Sequence, residues 1–320
     1  MVANGVWVGD ADGALGTRVL ELLAGDTDLR PASIEEASVV VWTAGADPDA
    51  RARRRESLTA GAAVMFGRLT AASHVVIVSS AMVYGAWENN PVPLTEDAVL
   101  RPDTEFRYAT QLAAVEQMAD DWRLAGDGRT VTVLRPAVTM AAAGTSGLAR
   151  ALAAGLGQRF AIDDPPAQFL HLDDLASAVV LGVRRRLDGA YNVAPDGSVP
   201  AASVRALAGA RPRVRLPDRV AEVSNSLRWR FQRGPIPPGL RSYTRAPWLV
   251  ANDRLRAVGW RPTVTNEQAY VEGTEARWWT MITPKRRQEL SLGATGAVLV
   301  GIAAGAMWVT RWARRRRARR

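Results

Sequence analysis

The chain has 320 residues, no cysteine and two histidines, which excludes a disulfide framework, a thiolate zinc site and a histidine-rich metal site. With 48% apolar residues it has the composition of a globular protein with a sizeable core. Its net charge of +9 is unevenly placed: residues 311–320 hold seven arginines and no acid, and without them the chain carries only +2, so no nucleic-acid-binding face is expected on the globular part.

In chain order, the first apolar run, residues 5–9, is too short and too soon followed by acids to be a signal peptide, so a cytoplasmic globular part is expected. The stretch VWVGDADGALGTRV, residues 6–19, predicts a strand, a glycine-bearing turn and a helix start. Exposed backbone N–H groups and the positive end of the helix dipole would there face a pyrophosphate. Gly13 would let the backbone approach the phosphates, and Gly16 would let the helix pack on the sheet. The spacing of Gly9, Gly13 and Gly16 departs from the usual dinucleotide fingerprint, and a strand–turn–helix without a ligand is the plain alternative.

Residues 17–24 predict the body of that helix, 39–42 a second strand and 51–72 a long helix. A third strand over 75–78 ends in Ser79–Ser80, a helix follows over 106–124, and a fourth strand, 131–134, stops at Arg135–Pro136. These runs are short, rich in valine and non-alternating, as parallel strands buried on both faces are. The alternation predicts an α/β fold: a doubly wound, Rossmann-like parallel sheet with ligands beyond the carboxyl ends of its strands. Further on, Phe169–Leu170–His171 predicts a strand, and Asp173 or Asp174 a cap for a helix over 175–185. Residues 201–273, rich in proline and arginine, predict a smaller irregular domain packed on the first.

Several ordered motifs carry a family resemblance. VIVSSAMVYG (76–85), VTVLRP (131–136), QFLHLDDLASAV (168–179), DGAYNVAP (188–195) and NDRLRAVGWRPTVTNEQA (252–269) together resemble the extended short-chain dehydrogenases/reductases, the NAD-dependent epimerase/dehydratase group. The nearest likeness is to the divergent bacterial proteins similar to UDP-glucose 4-epimerase. The resemblance spans residues 5–275 and implies an NAD(P)-binding domain over 1–200, with some substrate-domain elements at 140–170 and the rest at 201–280. It also implies NAD or NADP as cofactor, a nucleotide sugar or similar hydroxyl/ketone substrate, and a homodimer paired through the two long helices.

In that family a serine and a tyrosine hold the reacting oxygen. A lysine four residues after the tyrosine lowers its pKa and binds the ribose, because a phenol near pKa 10 is a poor base without a nearby cation. Ser80 matches the serine. In RYATQLAAVE, residues 107–116, Tyr108 is the nearby tyrosine, but Leu112 stands four residues on. Alternatively, Gln111 takes the lysine position and Arg107 the tyrosine position; in either alignment the cation is missing. The resemblance thus implies Ser80, Tyr108 and Gln111 as catalytic residues. It implies Gly9, Asp10, Gly13, Leu15, Gly16, Asp28, Leu29, Ala44, Gly45 and Pro136 as cofactor contacts, with Asp28–Leu29 at the adenine. Between the first helix and Val39 there is room for less than the family's two strands, so one sheet edge should be short and the ribose-holding acid absent. Tyr84 and His171 are expected to be structural, and the pairs Glu35–Glu36 and Asp120–Asp121 solvated. A catalytically inactive scaffold or cofactor sensor is the alternative function.

Residues 281–289 predict a linker. The next twenty, LSLGATGAVLVGIAAGAMWV, are uncharged and long enough to cross a bilayer. A membrane-spanning or membrane-anchoring helix is therefore expected over 290–310, flanked by Trp308 and Trp312, with an arginine-rich tail over 311–320. The positive-inside rule conflicts with placing that tail across the membrane. Shallow insertion, with the arginines on anionic lipid headgroups, satisfies both constraints. The expected location is the cell membrane, with the globular domain on the cytoplasmic side.

Overall fold

The valine runs become the centre of the protein. In the computed structural model, which describes residues 4–46, 57–155, 165–207 and 240–275, six strands form one parallel sheet. They are β1 (Asn4–Gly9), β2 (Leu29–Pro31), β3 (Val39–Trp42), β4 (His74–Val78), β5 (Thr130–Pro136) and β8 (Gly189–Val193), in the order β2-β1-β3-β4-β5-β8. Successive side chains on a strand point to opposite faces, so each valine run feeds two cores. Val39, Val41, Val76 and Val78 pack under α1 (Ala14–Leu23) and α5 (Leu172–Arg185). Val40, Trp42, Val75 and Ile77 pack under α2 (Leu58–Gly67) and α3 (Arg107–Leu124). The doubly wound expectation therefore holds.

A third apolar cluster lies beyond the carboxyl ends of the strands. It is built from β6 (Val138–Met140), paired in parallel with β7 (Phe169–His171), and from α4 (Gly147–Gly155). Helices α6 (Ala201–Leu207), α7 (Asp253–Ala257) and α8 (Asn266–Glu275) complete the described chain.

Several boundaries differ from the sequence expectation. The helix expected over 51–72 is described only as Leu58–Gly67, with 51–56 outside the described residues. It ends at Gly67, with Arg68 as its C-cap and the Arg68 side chain paired with Glu35. Helix α5 begins at Leu172, not 175, because His171 is its cap: its ring nitrogen Nδ1 accepts from the Asp173 N–H. Asp174 is not a cap. It is buried, and its carboxylate accepts from the backbone N–H groups of Thr263 and Val264 and from the Thr263 hydroxyl. That grip, with Trp260 Nε1 donating to Ser177, joins residues 260–264 to α5. Residues 240–274 thus belong to the same compact unit as the sheet.

The sheet edge is short, as expected: β2 has three residues, and Asn4, the first of β1, pairs with Leu29. A second unit of the chain, Arg211–Val214 with Glu275–Arg320, lies almost wholly outside the described residues. The expected linker, the 290–310 helix and the arginine tail lie outside them too. Among the described residues no helix is long and apolar enough to cross a membrane.

Candidate active site

At the carboxyl end of β1 the chain must turn sharply into α1. Asp10 takes the left-handed conformation, with φ of 51°, which glycine enters freely and aspartate tolerates better than most residues. Gly13 N–H then donates to the Asp10 carbonyl, and Gly13 caps α1. A Cβ at Gly16 would collide with that same carbonyl, so Gly16 is what allows the helix to close on the turn. The left-handed position of the turn is therefore Asp10. At Gly9 an added Cβ would lie 2.7 Å from the Trp7 indole. Leu15 is buried in the core under α1, so its side chain packs and does not face a ligand.

The N–H groups at the start of α1 are what this turn offers a dinucleotide pyrophosphate, while Gly16 serves the packing of the turn on itself, since an added Cβ would meet the Asp10 carbonyl and Ala11. The charge does not assist a pyrophosphate, because Asp10 and Asp12 put two acids on the turn. At the adenosine end, Asp28 and Leu29 lie at the amino end of β2, beside Asn4, about 16 Å of strand away from Gly9. The register therefore keeps them apart from the other candidate residues. Strand β2 itself ends in Pro31–Ala32 with no acid, and the following Glu35 is held by Arg68.

Beside the turn, the carboxyl ends of β4 and β5 open into a pocket. Gly45, Ser80, Tyr108 and Pro136 all line it, so four residues from distant stretches of sequence meet there. Ala44 is buried next to Gly45 in the short turn after β3. The loop that closes the pocket reaches the glycine turn: at Gly144, with φ of 92°, an added Cβ would lie 2.7 Å from the Ala14 side chain.

Ser80 caps the tight turn that follows β4, accepting from Met82 N–H at 3.2 Å. Its own proton has no acceptor among the described residues. The Tyr108 hydroxyl donates to the Gly45 carbonyl. Leu112, one turn further along α3, is fully buried against Gly45. An apolar side chain thus fills the place where a cation would act on Tyr108. Gln111 is turned elsewhere: its side-chain oxygen accepts from Leu58 N–H at 3.1 Å and caps α2.

Beneath the pocket lies a buried polar network that the sequence did not disclose. Arg135, at the end of β5, grips Glu116 of α3 through two nitrogens, at 3.1 and 2.7 Å. The Ser79 hydroxyl donates to the same carboxylate. Arg135 also donates to the Tyr84 hydroxyl, which in turn donates to Asn192. Burial opposes the charge on Arg135, but the Glu116 carboxylate and its hydrogen bonds, with Tyr84, outweigh it and raise the guanidinium pKa. Burial likewise raises the Tyr84 phenol, so Tyr84 is structural, as expected. Through Glu116 and Arg135, one ion pair fixes α3, the end of β4 and the end of β5, which carry Tyr108, Ser80 and Pro136. The signal that was available was Glu116 itself, a lone acid on the apolar face of α3 among Leu112, Val115 and Ala119.

His171 is structural by geometry as well: its Nε2 meets Glu272 of α8 at 3.0 Å while Nδ1 caps α5. Glu35 and Asp120 sit in exposed ion pairs with Arg68 and Arg123. Among the described residues no group of acids and histidines is arranged to hold a metal.

The fold and the placement of the pocket define a doubly wound α/β protein with a site at the carboxyl ends of its strands, next to a glycine turn. No family model matches the sequence, and no curated protein does either. Solved structures do match in fold. RMD from Pseudomonas aeruginosa, complexed with NADPH, is 19% identical, with a TM-score of 0.58 over 84% of this chain and 98% of that one. UDP-glucose 4-epimerase from Thermotoga maritima, with UDP-glucose, is 16% identical, with a TM-score of 0.57 over 85% and 97%. A human epimerase family protein with NADPH is 17% identical, with a TM-score of 0.58 over 85% and 100%. At this identity the likeness establishes the fold, which is shared over nearly the whole length of each neighbour.

Proposed function

We propose that the protein is an NAD(P)-binding protein of the epimerase/dehydratase or oxidoreductase type, acting on a hydroxyl or ketone substrate. The neighbours' NADPH and UDP-glucose make nicotinamide cofactors and nucleotide sugars the first classes to test. The observation that carries the reading is the meeting of Ser80 and Tyr108 in one pocket, beside a turn whose backbone fits a pyrophosphate. Gly13 and Gly16 would hold the dinucleotide, with Gly45 and Pro136 along its path into the pocket. A bound nicotinamide supplies hydride exchange with a substrate carbon. Ser80 would donate a hydrogen bond to the substrate oxygen, and Tyr108 would exchange a proton at its hydroxyl on turning from the Gly45 carbonyl. With Leu112 in place of a cation, the phenolate lacks one to a few kcal/mol of stabilisation, of the order that charge-driven pKa shifts represent.

Leu112 also supports a second reading: a catalytically silent scaffold or cofactor sensor that keeps the fold. In either case residues 290–310 would attach the protein to the membrane, with the globular part on the cytoplasmic side.

Calorimetric titration of the full chain in detergent with NAD, NADH, NADP and NADPH tests the proposal. Micromolar binding of one of them, followed by cofactor-dependent turnover that Ser80→Ala abolishes, is the expected result. Binding without turnover of any hydroxyl or ketone substrate gives the sensor reading. A folded protein that binds none of the four at millimolar concentration removes both cofactor readings and leaves a scaffold.

A further inference from the structure

The walls of the pocket carry more information than its position. Among the described residues that line it, none is charged. The far side is apolar, formed by Met140, Leu148, Ala149, Leu152 and Trp248. Most of its hydroxyl protons are already committed inside the protein. Thr145 donates to the Ala141 carbonyl at 2.6 Å, Thr139 to the Ala137 carbonyl at 3.3 Å, Ser79 to Glu116 and Tyr108 to Gly45. Ser80 and Ser146 accept from the Met82 and Ala149 N–H groups and keep their own protons. A ligand seated here therefore meets two available hydroxyl donors in an otherwise apolar enclosure.

We propose that the pocket takes a compact, uncharged, largely apolar molecule carrying one or two hydroxyl or keto oxygens, and that it rejects the diphosphate of a nucleotide sugar. The inference rests on the reading of this pocket as the substrate site and narrows its substrate class. A diphosphate placed against these walls would lose its hydration with no cation among the described lining residues to replace it, an uncompensated burial of charge. A ketone loses little, because its one polar atom meets Ser80 and its carbon skeleton replaces water against Leu148 and Leu152.

Saturation-transfer NMR on the full chain in a zwitterionic detergent, with cyclohexanone, cyclohexanol and UDP-glucose as probes, tests this. Cyclohexanone and cyclohexanol are expected to receive saturation and UDP-glucose none. Filling the pocket with Leu152→Trp should abolish the cyclohexanone signal. Removing the hydroxyl with Ser80→Ala should weaken cyclohexanone binding about fivefold, the effect of one lost hydrogen bond. The Ser80→Ala arm keeps the test decisive if the tryptophan variant fails to fold. Saturation of UDP-glucose, or a cyclohexanone signal that is absent or unmoved by these variants, overturns the proposal. The cofactor titration separates the two failures. A protein that binds no dinucleotide but takes cyclohexanone loses the function reading and keeps this one; a protein that binds NADPH and UDP-glucose does the reverse.

Discussion

The two ends of the parallel sheet use their polar groups in opposite ways. At the amino end they close on one another. His74 is fully buried, with Nε2 donating to the Gly182 carbonyl at 3.1 Å and Nδ1 accepting from Thr130 at 2.8 Å. Thr132 donates to the Leu187 carbonyl, and Val131 N–H to Asp188. At the carboxyl end the polar groups are held in place from behind and left open in front. Glu116 and Arg135 fix the frame, while Ser80 presents a proton to the pocket. At the amino end the polar groups satisfy one another, and at the carboxyl end a hidden ion pair holds the elements that line the pocket.

The largest expected effect breaks the frame at the carboxyl end. Glu116→Gln keeps the shape but leaves the buried Arg135 charge uncompensated, so unfolding in denaturant should show a loss of about 3–5 kcal/mol. A loss below about 1 kcal/mol would mean that the pair is dispensable and that the comparison fails.

The amino end should respond to acid instead. Burial pushes the His74 imidazole down to about 4. The unfolded chain takes up a proton near pH 6.5 and the folded one does not. Stability is therefore complete above about pH 6.5 and falls as the pH drops towards 4, by about 3 kcal/mol in all. Denaturation measured from pH 7 to 4 should show this slope, and His74→Gln should flatten it. An unchanged slope in the variant would place the acid sensitivity in other groups.

A smaller effect separates the scaffold from the site. Gln111→Ala removes the acceptor of the Leu58 N–H, leaves the Ser57 cap of α2 in place, and should cost about 1 kcal/mol, the worth of one hydrogen bond. Dinucleotide affinity in the same variant should stay within about twofold, since the side chain points away from the pocket. A larger loss of affinity would return Gln111 to the ribose.

Most of the sheet was legible in the sequence because its signal is local. Strands β3 and β7 fall on their predicted residues, since a run of β-branched or aromatic residues between polar ends admits few alternatives. Ser80 and Tyr108 were also found by motif, and the fold brings them together. What escaped notice depends on partners far along the chain. Glu116 is one acid in a helix until Arg135, 19 residues on, turns to meet it. Asp174 looks like a helix cap until residues 263–264 fold back onto it, and His171 does the capping because its ring is nearer. At Asp10, named among the cofactor contacts, the left-handed conformation usually given to glycine is taken by an acid, which residue type alone does not announce. Where Asp28–Leu29 would lie was not legible either, because it is set by register: Leu29 pairs with Asn4, at the end of β1 away from the turn.

The cap that α3 lends to α2 has a consequence for observing this protein. The Leu58 amide proton is held by a side chain that projects from the same helix as Tyr108, three residues further on. Any movement of α3 that accompanies filling of the pocket would loosen that bond before it disturbed the core. Exchange of the Leu58 amide with deuterated water therefore gives a single-residue readout of events in the pocket, independent of what the ligand is.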